Sequence, residues 1–136
     1  MVRRFLAIAE TGGNIELTQP VHDQVDLVHA ADVSKAVVSI LKKDFWDIFN
    51  ISSGKPISVK DLADACVKLA NRGRVLIKGE NTAGYKPTIR YSLNTEKARN
   101  QLGWRPEIDI HQGMNMILKE SVIIPTSNSL LKRGNE

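Results

Sequence analysis

The sequence predicts an α/β protein with a partial three-to-four-stranded sheet and about five helices. Segments whose apolar residues recur at the helical period alternate with short apolar or β-branched runs, and Gly, Pro, Asn or Ser marks most changes of period. The strand candidates are short and separated, three or four in number, too few for a complete doubly wound sheet. The chain therefore reads as part of a larger architecture.

Val2, Phe5, Leu6 and Ala9 share one helical face, and Thr11-Gly12-Gly13-Asn14 supplies a glycine-rich stop, so a first helix ends near Glu10. Ile15 to Leu17 is a short strand broken by Gln19-Pro20, and Val25 to His29 is a second, too apolar for a solvent-facing edge. Asp32 is the expected cap of a helix in which Val33, Ala36, Val37, Ile40 and Leu41 follow the i, i+3, i+4, i+7, i+8 template. Phe45 to Ile51, rich in aromatic and β-branched residues, reads as a buried strand that opens into Ser52-Ser53-Gly54-Lys55-Pro56.

Ser58 starts the next helix, with Asp61 three residues on in the manner of a capping box. That helix buries Val59, Leu62, Ala63, Cys66, Leu69 and Ala70 and turns Lys60, Asp64 and Lys68 outward. Arg72-Gly73 ends it, and Val75 to Ile77 is a further strand. Residues 78–87 form a polar loop of functional length. Asn94 caps a short helix carrying Ala98 and Leu102, Gly103-Trp104-Arg105-Pro106 turns the chain, and Ile110, Met114, Ile117 and Leu118 define a last helix. Thr126 to Glu136 loses periodicity, so residues 1–124 are expected to be the folded portion and 125–136 a flexible tail.

A chain of 136 residues buries roughly two thirds of its unfolded surface, enough for one core or two small ones. With 42% hydrophobic and 25% charged residues, wholesale disorder and fibrous repeats are excluded. The formal charge of +4 is scattered, with no basic stripe interleaved with aromatics, which argues against a nucleic-acid partner while favouring weak attraction of anionic small molecules. The single cysteine, Cys66, rules out an intramolecular disulfide, and His22, His29 and His111 lack metal-ligand spacing, so no metal is expected. The apolar run from Phe5 to Ala9 is shorter than a signal-peptide core or a membrane span, so a cytoplasmic protein with no membrane partner is expected.

No glycine-rich dinucleotide loop, no phosphate loop and no tyrosine followed four residues later by lysine occurs in these residues. Asn50 to Ser58 carries two readings: a plain strand-to-helix connection, or a turn presenting backbone N–H groups to a ligand. His29 with Asp32 reads either as backbone ligand and helix cap or as an acid–base pair, and Cys66 as a small core hydrophobe rather than a nucleophile. Trp104 reads as a packing plug before it reads as a stacking platform, and Tyr91 as a strand edge or as a hydroxyl and ring offered to a sugar or base.

The order of these motifs carries more than any one of them. Asp26-Leu27-Val28-His29-x-x-Asp32, then Phe49 to Val59, then Asn94-Thr95-Glu96-Lys97-Ala98 with Leu102-Gly103-Trp104-Arg105-Pro106, resembles the C-terminal run of the extended short-chain dehydrogenase/reductases. This is the family of the UDP-glucose 4-epimerases and sugar-nucleotide 4,6-dehydratases, and the resemblance spans about residues 1–120. It implies a substrate-binding lobe, with Asp26 to His29 and Ile48 to Ile51 in or beside a large sheet. It also implies a nucleotide-sugar ligand, with Tyr91 near the nucleotide and Lys55 bordering the base or ribose.

Where the family carries diphosphate-pairing arginines, this chain has Val25 and the Thr82-Ala83-Gly84 region, and Lys86 and Arg90 are the candidate replacements. The resemblance places the cofactor loop and the catalytic tyrosine and lysine ahead of the region read here. No cofactor is therefore expected to be held by these residues, NAD or NADP belonging to the complete family enzyme. Whether the chain acts within an enzyme is left open, and catalysis by this chain alone is not expected. The expected partners are a nucleotide sugar together with either a second copy or an N-terminal Rossmann half.

Overall fold

The computed structural model describes residues 1–18, 20–44, 46–79 and 92–121. In chain order the elements are helix α1 (Val2–Glu10), strands β1 (Asn14–Thr18) and β2 (Gln24–Val25), helix α2 (Ala30–Lys43), strand β3 (Ile57–Ser58), helix α3 (Val59–Ala70), strand β4 (Arg74–Lys78), a π-helical turn (Ala98–Leu102) and helix α4 (Ile110–Ser121). This is the α/β alternation that the periodicities predict, with four strands and five helical segments among the described residues. The strands form two pairs: β1 runs parallel to β4, from Asn14 opposite Arg74 to Thr18 opposite Lys78, and β2 runs antiparallel to β3.

β1 alternates as a half-buried strand should, with Ile15 and Leu17 turned inward and Glu16 outward, where it meets Lys78 of β4 at 2.6 Å. Leu6 and Ala9 of α1, Leu62, Ala63 and Cys66 of α3 and Met114 of α4 close the main core over it. Here α3 and β4 must pass close beneath the α1–β1 turn. Gly73 makes that possible: its φ is +79°, and a Cβ there would lie 2.6 Å from the Gly13 carbonyl oxygen. Cys66 is wholly buried with its Sγ 3.6 Å from Met114 Sδ, and burial pushes its thiol up to about 11. It is an inert core side chain, as its apolar neighbours predict.

A second, smaller core joins Ala36 of α2 to Ala98, Leu102 and Trp104. The indole N–H of Trp104 donates to the Asp32 carbonyl at 2.8 Å, so the tryptophan is a buried plug and not a ligand platform.

Several expectations are corrected by the packing. α2 begins at Ala30, capped by His29, whose Nδ1 accepts the Ala31 N–H at 3.2 Å; Asp32 lies inside the first turn with its carboxylate engaged elsewhere. The strand expected over Val25 to His29 shortens to Gln24–Val25 because its partner β3 has only two residues, the second of which, Ser58, caps α3. Residues 46–51 form no strand, pairing with none of the described strands. Side chains tether that segment instead, with Lys97 2.6 Å from Asp47 and 5.1 Å above the Phe49 ring, and Asn50 donating to the Asn94 carbonyl at 3.1 Å.

The apolar stripe of α2 is the largest departure from expectation. Only Ala36 is buried, while Val33, Val37 and Leu41 are 36%, 49% and 74% exposed, and beside them Trp46 and Ile48 reach 93% and 85%.

Candidate functional site

A cleft of about 300 Å³ opens between two irregular segments, with Ser53, Lys55 and Ile57 on one wall, residues 106–111 on the other and Leu27 between them. Each wall is held by an aspartate, Asp26 from the short stretch that joins β2 to α2 and Asp32 from the first turn of α2.

On the first wall, Asp26 Oδ1 accepts the N–H of Ser53 at 3.0 Å and of Gly54 at 3.1 Å and also receives the Ser53 hydroxyl, while Oδ2 accepts the Gly54 N–H at 3.0 Å. Burial pushes the Asp26 carboxyl up, but the hydrogen bonds from the Ser53 and Ser52 side chains and the Gly54 and Ser53 backbone outweigh it and hold it below the ordinary value of 3.8. Ser53 Oγ in turn accepts the Lys55 N–H at 3.1 Å. The turn is thus wound around one carboxylate, and Gly54 supplies the left-handed φ of +71° that it requires.

On the second wall, the fully buried Asp32 accepts the N–H groups of Glu107 at 3.0 Å and Ile108 at 2.9 Å through Oδ2. Its Oδ1 lies 3.6 Å from Lys35 Nζ, an ion pair without a hydrogen bond, and Lys35 also bonds the Glu107 carboxylate. Asp109 and Gln112 exchange backbone-to-side-chain hydrogen bonds of 2.8 and 3.0 Å, a reciprocal cap that starts α4. Beyond this wall lies a smaller apolar recess of about 120 Å³ shared by Leu27, His29 and Ile108. Gly113 lets α4 come this close, since a Cβ there would sit 3.2 Å from the His29 ring.

These contacts decide between the two readings of residues 50–58. The N–H groups of Ser53, Gly54 and Lys55 are all engaged within the turn. In the first turn of α3, Val59 donates to the Asp23 carbonyl, Lys60 to the Val21 carbonyl and Asp61 to Ser58 Oγ. Neither the turn nor the helix end offers an anion its backbone, so the stretch is a connection, and anion recognition here falls to side chains. The side chains of His29 and Asp32 likewise have structural tasks, His29 with the Ala31 N–H and Asp32 with the Glu107 and Ile108 N–H groups.

Of the sequence-predicted site residues, Lys55 lines the cleft, exposed and, among the described residues, without an ion-pair partner for its amino group. Tyr91, Lys86 and Arg90 lie outside the described residues. Sequence reasoning passed over the Asp109–Gln112 cap, which the D-x-x-Q spacing ahead of Met114 and Ile117 signals. It also passed over the grip of Asp26 on Ser53 and Gly54, a contact across 27 and 28 residues that no local spacing encodes.

No family model matches the chain. Among curated proteins, it is 25% identical over 111 residues to dTDP-4-dehydro-6-deoxyglucose reductase of Escherichia coli, a match covering 77% of this chain and 33% of that protein. It is 32% identical over 96 residues to a putative UDP-glucose 4-epimerase of Methanocaldococcus jannaschii, covering 68% of this chain and 29% of that one. In three dimensions it superimposes on the UDP-glucose 4-epimerase of Thermotoga maritima, solved with UDP-glucose, with a TM-score of 0.73 at 20% identity over 89% of this chain and 40% of that one. The chain thus spans a third or less of the length of these curated relatives. Motif order, fold and the match to reductase- and epimerase-type relatives converge: the chain belongs to the extended short-chain dehydrogenase/reductases of the nucleotide-sugar epimerase and dehydratase type and corresponds to their C-terminal portion.

Proposed function

We propose that this chain is the nucleotide-sugar-binding portion of an NAD(P)-dependent sugar epimerase or dehydratase and is not catalytic by itself. The observation that carries the reading is the cleft with Lys55 on its wall. It is large enough for part of a nucleotide sugar, it is lined by Leu27, Ile57, Ile108 and Ile110, and it presents a cation without a carboxylate partner among the described residues. Its two acidic wall residues are already engaged, Glu107 with Lys35 and Asp109 with Gln112, which leaves Lys55 to meet a phosphate or ribose. Tyr91, Lys86 and Arg90 are proposed as the remaining ligand contacts. A cytoplasmic setting fits such a substrate, and no described helix is long and apolar enough to cross a membrane.

NAD(P), which supplies hydride transfer when bound, does not fit the residues present. A dinucleotide site needs a glycine-rich turn between a strand and a helix whose N–H groups are open to the pyrophosphate. Here both such junctions, at His29 and Ser58, are closed by their own side chains. The sequence contains no tyrosine with a lysine four residues on.

The test is a titration of isotopically labelled chain with UDP-, dTDP- and GDP-sugars followed by amide NMR. The expected result is saturable shifts at Lys55 and Tyr91 with one nucleotide preferred, and a loss of most of that affinity in Lys55→Ala. Unmoved resonances at both positions sink the assignment.

A second reading, a non-catalytic assembly module, is favoured by the bare stripe of Val33, Val37 and Leu41 with Trp46 and Ile48. The occupant proposed for it is an N-terminal Rossmann half like that of the relatives, most of whose length this chain does not span. Self-association through the same stripe is the alternative outcome.

A further inference from the structure

We propose that Asp26 is the positioning residue of the cleft: its carboxylate winds the turn at Ser53 and Gly54 and thereby sets where Lys55 stands against the opposite wall. The proposal rests on the reading of that cleft as the nucleotide-sugar site. Four hydrogen bonds reach this one side chain, from two backbone N–H groups and one hydroxyl, and Ser53 passes the constraint on by accepting the Lys55 N–H. The opposite wall cannot follow a displaced turn, because buried Asp32 fixes Glu107 and Ile108. The separation between Lys55 and that wall is therefore decided at Asp26, which lines no part of the cleft itself. Because a charge-assisted acceptor bonded to several N–H groups is stronger than a neutral one, the ionised carboxylate is the working form.

The titratable groups facing the turn are Lys55 upon it and Glu107, Asp109 and His111 across the cleft. The experiment measures the Kd for UDP-glucose and the amide shifts of residues 53–55 from pH 7 to pH 2.5 in the full chain, in Asp26→Ala, in Asp26→Asn and in Ser53→Ala. The expected result is a Kd about tenfold weaker in Asp26→Ala with the fold retained by circular dichroism, and partial recovery in Asp26→Asn, whose carbonyl still accepts N–H bonds. Ser53→Ala, which removes one bond to Asp26 and the acceptor for Lys55, is expected to fall between. In the native chain the Gly54 amide should titrate with a midpoint below the ordinary aspartate range, and that titration should vanish in Asp26→Asn.

Equal Kd values in the native chain and in Asp26→Ala overturn the proposal. Should Asp26→Ala unfold, Ser53→Ala decides in the same way. If the native chain itself ignores UDP-glucose and the other nucleotide sugars, the nucleotide-sugar reading fails and the grip on the turn is still judged by the Gly54 titration, whose absence overturns it.

Discussion

At the scale of single residues, several side chains and one missing side chain hold this molecule's geometry. Ser58 accepts the Asp61 N–H at 3.0 Å, the N-cap legible in the sequence, and its hydroxyl donates to the Asp61 carboxylate at 2.7 Å, where a full capping box would use the Ser58 backbone N–H. Gly73 shows how a residue without a side chain is as demanding. A Cβ would meet the Gly13 carbonyl oxygen at 2.6 Å, a backbone atom that moves only if the α1–β1 turn moves, and the left-handed φ adds its own strain. Gly73→Ala is expected to lower stability by about 2–4 kcal/mol, the sum of a left-handed penalty and forced repacking, read as a shift of the urea midpoint with an unchanged slope. A loss below about 0.5 kcal/mol would show that the turn has slack that the structure does not indicate.

At the scale of elements, α2 divides its apolar positions between two uses. Ala36 and the half-buried Ile40 pack against Ala98, Leu102 and Trp104, whereas Val33, Val37 and Leu41 face outward alongside Trp46 and Ile48. Side chains this exposed contribute little to folding, so the double variant Val37→Ser, Leu41→Ser should change unfolding free energy by no more than about 1 kcal/mol. Its association should change much more. Sedimentation at increasing concentration is expected to show self-association of the native chain that the double variant loses, and a native chain that stays monomeric at high concentration argues that the stripe does not pair with its own copy.

At the scale of the whole molecule, acid should loosen the cleft side before the core. Asp26 has a native pKa below its unfolded value, so its contribution to stability is fully present above the ordinary aspartate range and is lost as pH falls through the lowered native value. Asp47 shifts the same way, through its hydrogen bond to Lys97 and that from the Ile48 N–H. Denaturant midpoints of the native chain and of Asp26→Asn should therefore differ near pH 6 and converge as pH falls through the lowered native value, and a difference that stays constant into acid would remove Asp26 as the source. The elements themselves were readable without coordinates, because α1, α3 and β4 depend on local periodicity and local caps such as Ser58. The family was readable too, since ordered motifs survive in one dimension. What the sequence by itself determined is thus the alternation of α and β segments, the ends of the helices and of β1 and β4 to within a few residues, the core identity of Cys66 and Trp104, and Lys55 as a candidate. Only the tertiary structure decided that the apolar stripe of α2 is largely bare, that residues 46–51 make no ladder, and that Asp26 and Asp32 each hold one wall of a single cleft. The physical reason is that periodicity reports which residues share a face. Which surface meets that face, and which distant N–H a carboxylate accepts, depend on contacts across 27 to 76 residues that local spacing does not record.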